Sequence, residues 1–164
     1  MRLDERFHGT LVKNKNGREI PEDEIVVFFA EDDAFLRMLQ VYSLRVAVDG
    51  VGQEQRKAVL DLIVRVEAAR RGEFRGEILD LKVHGTLVRD ADGEEVDSST
   101  YVVFRPHDNS FLPCLELYRE DLAERGASLP RLAEIDELVK RIRAWRDKYP
   151  YRCKVPDVEP GELR

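Results

Sequence analysis

Two histidines occupy matching settings in this chain, His8 within Phe7-His8-Gly9-Thr10-Leu11-Val12 and His84 within Val83-His84-Gly85-Thr86-Leu87-Val88. Imidazole is a common metal ligand and exchanges protons near neutral pH, so a convergent pair is a candidate zinc site or acid–base pair. The pattern supplies no third ligand: the remaining histidine, His107, follows Pro106 in a loop and has no counterpart. No serine or cysteine sits in a nucleophile-elbow motif, and Cys114 takes the place that Met38 holds in the related stretch, which reads as a buried soft hydrophobe. Asp32, Asp33 and Asp108 stand just ahead of apolar helical patterns, where capping of free N–H groups explains a carboxylate more simply than acid–base work. The residues point to a binding protein rather than an enzyme, with no metal and no cofactor.

Anion recognition has better candidates. Arg70 falls on a helical face with Val59, Leu62, Ile63 and Val66, and Arg146 on one with Leu132, Ile135, Leu138, Val139 and Ile142. A guanidinium on an apolar face must either reach solvent at the helix end or meet an anion. Between Val139 and Lys154 seven cations stand against Asp147 alone, a local charge of +6 that leaves −12 for the rest of a chain of net charge −6. Trp145, Tyr149 and Tyr151 interleave with them, and rings beside fixed positive charge hold bases and phosphates, although such a stretch also serves to dock on the molecule's own acidic surface. Period-two alternation puts Thr10 and Thr86 on the face of the histidines. It also puts Arg105 with Ile25, Val27, Phe29, Tyr101 and Val103, opposite Val26, Phe28, Val102 and Phe104. His8, Thr10, Arg70, His84, Thr86, Arg105, Trp145 and Arg146 are thus the candidate ligand set for a nucleotide-like anion held in a cleft between or on the halves of the molecule. The alternative is a protein–protein module or inhibitor that uses an apolar open sheet face, with a partner protein or a second copy of the chain as occupant.

What must position these residues is an internal repeat. Sliding the sequence by 76 residues aligns it with itself without a gap from Leu3-Asp4 over Leu79-Asp80 onward, and 15 of the 35 positions from His8 to Tyr42 are identical to those from His84 to Tyr118. Gly50, Leu62, Arg65, Ala68 and Arg70 recur as Gly126, Leu138, Arg141, Ala144 and Arg146. Each copy reads as two strands and two helices. Asn16-Gly17 and Asp92-Gly93 mark hairpin turns, Pro21 interrupts the returning strand until about Glu24, and second strands follow at Ile25 to Phe29 and Tyr101 to Phe104. First helices start at Asp32 and Asp108 and end at Gly50 and Gly126; Ser128 and Pro130 open the last helix, which Pro150 halts. The expected fold is α+β: a tandem duplication of a ββαα unit, residues 1–76 and 77–150, forming one pseudo-twofold domain. Its joined hairpins make a four-stranded antiparallel sheet with helices on one face, and 151–164 form a tail.

The run Asp92-Gly93-Glu94-Glu95-Val96, with Tyr101 to Arg105, Asp108, Phe111-Leu112 and Leu117-Tyr118, resembles small uncharacterised accessory proteins of bacteria and their phages, over about half of each copy. That resemblance implies a small intracellular protein and supplies no catalytic residues. Composition agrees with a cytoplasmic expectation: 43% hydrophobic residues suffice for a core, no apolar run approaches a membrane span, and two cysteines do not make a disulfide scaffold.

Overall fold

Residues 2–74 and 77–154 are described by a computed structural model; the 75–76 junction and positions 155–164 of the expected tail lie outside the described residues. Strands β1 (Phe7–Lys13) and β4 (Val83–Arg89) pair antiparallel along their full length with Thr10 opposite Thr86, and the short β2 (Glu19–Ile20) adds to the other edge of β1. Phe7, Leu11, Val83 and Leu87 point inward, while His8, Thr10, His84 and Thr86 face solvent. Gly9 (φ 145°) and Gly85 (φ 133°) sit where the two backbones come closest: a Cβ on Gly9 would run into the Thr86 carbonyl oxygen, and one on Gly85 into that of Thr10. Only glycine fits there.

A second layer is formed by β3 (Val26–Phe29) and β5 (Tyr101–Phe104), antiparallel with Val27 opposite Val103. Val27, Tyr101 and Val103 pack against Phe7, Leu11 and Leu87 of the first sheet, whereas Val26, Phe28, Val102 and Phe104 pack on the helices. The expected four-stranded sheet of joined hairpins is therefore replaced by two stacked sheets. Pro21 has no N–H to extend β2, and a 3₁₀ turn at Glu22–Glu24 drops the chain into the next layer, where β3 finds β5 instead of β1. The anticipated apolar open face is closed by the same step: Ile25, Val27, Tyr101 and Val103 are buried under the first sheet. Two buried carboxylates tie the layers, Asp4 Oδ2 accepting from Val27 N at 3.1 Å and Asp80 Oδ2 from Val103 N at 2.9 Å, so these strand N–H groups are not stranded without a partner.

Helices α1 (Asp33–Val48), α2 (Gln53–Arg70), α3 (Phe111–Glu124) and α4 (Leu129–Lys148) cover the other side of β3–β5, which makes the protein α+β. Asp32 caps α1 through Ala34 N and Phe35 N, Ser128 caps α4 through Arg131 N, and Asp108 accepts from Ser110 N just ahead of α3. The α2 start at Gly52 has no side-chain cap, in keeping with its weaker signal. Helix α3 starts later than Asp108, with Ser110 at its N-cap position and no side-chain cap, and each of the two aspartates is fixed by a tyrosine: Tyr42 donates to Asp108 and Tyr118 to Asp32, both at 2.5 Å. Phe28 fills the space between them, edge-on to Phe104, Phe111 and Tyr118 and stacked on Phe35. No helix among the described residues is long and apolar enough to cross a membrane.

Candidate functional site

Of the residues singled out in the sequence, four lie together on the outer face of β1–β4. His84 stands opposite Val12, four positions along the ladder from His8, so the two imidazoles are separated by about 13 Å of strand and do not converge. Each pairs with a side chain at the far end of the neighbouring strand, His8 Nδ1 with Asp90 Oδ1 at 2.5 Å and His84 Nδ1 with Asn14 Oδ1. The described residues contain no group of three metal-ligating side chains.

Arg70 and Arg146 find their partners inside the protein. Arg70 donates to the Ala30 carbonyl at 3.1 Å and to Asp33; Arg146 donates to the Pro106 carbonyl at 2.9 Å and to Asn109 Oδ1 at 2.6 Å. Both brace the loop that leads from the second-layer strand into the next helix, satisfying carbonyls that no ladder reaches. Three more arginines of the basic stretch pair with carboxylates of the protein, Arg141 of α4 with Glu5, Arg143 of α4 with Glu116, and Arg152 of the turn after it with Glu24. Trp145 is buried, with Arg152 over its ring at 5.1 Å and its centroid 6.5 Å from that of His107. Cys114 is buried as expected, and burial pushes its thiol up to about 12.

Two sequence candidates line charged cavities: Arg70 lines one whose charged side chains are mostly acidic, with Glu31, Glu94, Glu95 and Asp97, and Arg105 lines one rich in cations. A cavity of about 110 Å³ is walled by the ends of β1, β4 and β5 and the loop after β5, and Lys13, Lys15, Lys82, Arg105 and Lys154 all reach it, with His107 and Asp108 behind them. Close by, the buried Glu24 accepts from Arg105 at 2.8 Å and from Arg152 at 2.7 Å on the same oxygen, and Asp108 in the cavity wall accepts from the Tyr42 hydroxyl. Burial alone would lift the Glu24 carboxyl, yet these two guanidiniums hold it below its ordinary value. Burial and the nearby Arg105 and Lys15 charges lower Lys13. Burial, with Arg105 and Lys154, pushes His107 down to about 3, so its ring is neutral at physiological pH. Asp108 moves the other way, raised by burial against the bonds from Tyr42 and Ser110. Like charges crowded at a partly dry surface are costly unless an anion joins them.

Comparison with protein-family models, curated proteins and solved structures finds no match for this chain. The site's chemistry must be read from its own geometry.

Next to the cationic cavity, and sharing Gln55, Lys82 and Phe104 with it, lies a smaller and mostly apolar one of about 50 Å³ walled by Tyr42, Val59, Leu62 and Val102. Gln55 is 4% exposed and its Oε1 has no hydrogen-bond partner, and the same holds for the buried Nδ1 of His107. Arg105 Nε is unpaired as well, and since buried polar atoms are normally paired, three such atoms on residues of one cavity wall mark where a partner is missing. Lysines 13, 15 and 82 and Gln55 were not legible as a set: they come from three distant segments and belong to no motif. The one signal available was a set of differences between positions 76 residues apart, since Arg105, His107 and Gln55 align with Phe29, Glu31 and Arg131.

Proposed function

We propose that this chain is a tandem ββαα duplication that works as a binding protein, and that it captures a small phosphate-bearing anion of the nucleotide class in the cavity lined by Lys13, Lys15, Lys82, Arg105 and Lys154. The supporting observation is the approach of Lys13 and Lys82 to the Glu24-paired Arg105 about one space, beside the buried Gln55 Oε1 and His107 Nδ1, which have no hydrogen-bond partner among the described residues. The adjoining apolar cavity suits an uncharged portion of the same ligand. Hydrogen bonds to charged groups contribute roughly 1.5–3 kcal/mol each, so a phosphate held by several lysines is expected to bind measurably and to weaken as salt rises. Several positions 76 apart make matching bonds: Asp4 and Asp80 each accept from a strand N–H, Tyr42 and Tyr118 each donate to an aspartate, and Arg70 and Arg146 each donate to a loop carbonyl, which supports the duplication.

The test is isothermal titration with inorganic phosphate, 5′-mononucleotides and cyclic nucleotides. Lys82 is half-buried, touches both cavities and has no ion pair among the described residues, so Lys82→Gln should lower affinity about 10-fold to 100-fold while leaving the melting temperature nearly unchanged. Equal affinity of wild type and variant, or no binding across the panel, would contradict the proposal.

A further inference from the structure

Resting on that reading, we infer that each chain holds one anion and not two, because Gln55 keeps the site open on one side of the pseudo-twofold axis while arginines with partners of their own occupy the related positions on the other. The axis passes through the Thr10–Thr86 and Val27–Val103 pairs, and it relates the cleft at Gln55, Leu62, Arg65 and Lys82 to a second cleft at Arg131, Leu138, Arg141 and Arg6. The two clefts share their apolar walls and differ in their charges. In the second, Arg6 makes a two-pronged bond to Asp4, both arms at 2.9 Å, and also donates to the Val27 carbonyl. Arg131 donates to the Tyr118 hydroxyl at 3.3 Å and pairs with Glu134 at 3.1 Å, and Arg141 pairs with Glu5 and Glu137. Its three arginines thus face carboxylates at each turn, and an arriving anion would have to displace one of them.

The first cleft has lost two of those carboxylates, with Leu81 and Ala58 at the places of Glu5 and Glu134; it keeps Asp61 and Asp80, the latter accepting from Val103 N, and its Arg65 donates to the Ile78 and Leu79 carbonyls. At the place of Arg131 it has the shorter, neutral Gln55, whose Oε1 is buried and unpaired; at the place of Arg6 it has Lys82, which has no ion pair among the described residues. The cationic cavity beside it has the same bias. Arg105 and His107 replace Phe29 and Glu31 of the other half, and Lys15 replaces Ala91. Gln55 therefore does two things: it removes a guanidinium that would bind the tyrosine, and it offers an acceptor to an N–H or O–H of the ligand. A ligand combining a phosphate with a hydroxyl or amino group meets both requirements.

Titration with inorganic phosphate and with AMP decides the matter. The expected result is one equivalent bound per chain. Gln55→Arg, which copies the other half, should abolish it. Gln55→Leu, which keeps the bulk and loses the acceptor, should weaken AMP about tenfold with cooperative unfolding retained, and it decides the case if the arginine variant fails to fold. Two equivalents in the wild type, or undiminished binding by Gln55→Leu, would overturn the inference while leaving the proposed function standing. No binding by the wild type would overturn both.

Discussion

Replacing Gly9 by alanine should open the ladder on which both halves of the protein meet. The new methyl would be driven into the Thr86 carbonyl oxygen and would lie 3.0 Å from the Thr86 carbonyl carbon and 3.1 Å from Leu87 Cα, all backbone atoms that no side-chain rotation can move aside. Backbone at φ 145° adds strain of about 1–3 kcal/mol for a residue with a Cβ. Overpacking a fixed site adds about 1–3 kcal/mol more, so the total is roughly 2–6 kcal/mol. With a urea m-value of about 2 kcal/mol/M the unfolding midpoint should fall by about 1–3 M. Gly17→Ala is the control, since Gly17 has φ 68° with nothing within 4 Å of an added Cβ and carries strain without collision. Gly85→Ala should match Gly9→Ala because it meets the Thr10 carbonyl in the same way. Urea denaturation followed by circular dichroism reads all three, and a loss at Gly9 no larger than at Gly17 would refute the close approach of β1 and β4.

Tyr118→Phe leaves Asp32 Oδ2 and one Arg131 N–H without their bond, and should cost about 1–3 kcal/mol in the same denaturation assay; a loss under about 0.5 kcal/mol would mean that the tyrosine–aspartate lock carries little. The pH dependence has a definite sign. His107, faced by Arg105, Lys154, Lys13 and Glu24, titrates near 3 in the native protein and near 6.5 when unfolded. Above 6.5 both states leave it neutral and its contribution to stability is complete. As pH falls toward 3 the unfolded chain takes up a proton that the native one refuses, and stability declines by up to about 1.4 kcal/mol per pH unit. Urea midpoints at pH 7, 6 and 5 should therefore drop in the wild type and flatten in His107→Gln, and parallel curves would contradict the burial of this ring.

The helices and their stops were written plainly in the sequence, because Asp32, Ser128, Gly50 and Gly126 act within a turn of where they stand. The strands were legible too, but not their partners. Strand pairing depends on contacts many residues away, and the fact that Gly9 and Gly85 admit the other strand's carbonyl becomes visible only once the strands are side by side. Arg70 and Arg146 were recognised as cations needing partners, and those partners are loop carbonyls of the same molecule. The cationic cavity escaped notice because net charge hides it: its lysines are ordinary surface residues in one dimension, and only the fold brings Lys13, Lys82 and Arg105 to a common space.

The most direct test is to follow the imidazole signals of His8, His84 and His107 by NMR while inorganic phosphate is added between pH 4 and 7. His107 is kept unprotonated by burial first and by the Arg105 and Lys154 charges second; an anion seated among Lys13, Lys82 and Arg105 should offset the charges, raising its titration point from about 3 and shifting its resonances, while added phosphate leaves the resonances of His8 and His84 on the outer face unchanged. Shifts at His8 and His84 with His107 unmoved would place the anion on the sheet surface, and no shift at any of the three would contradict anion capture in this cavity.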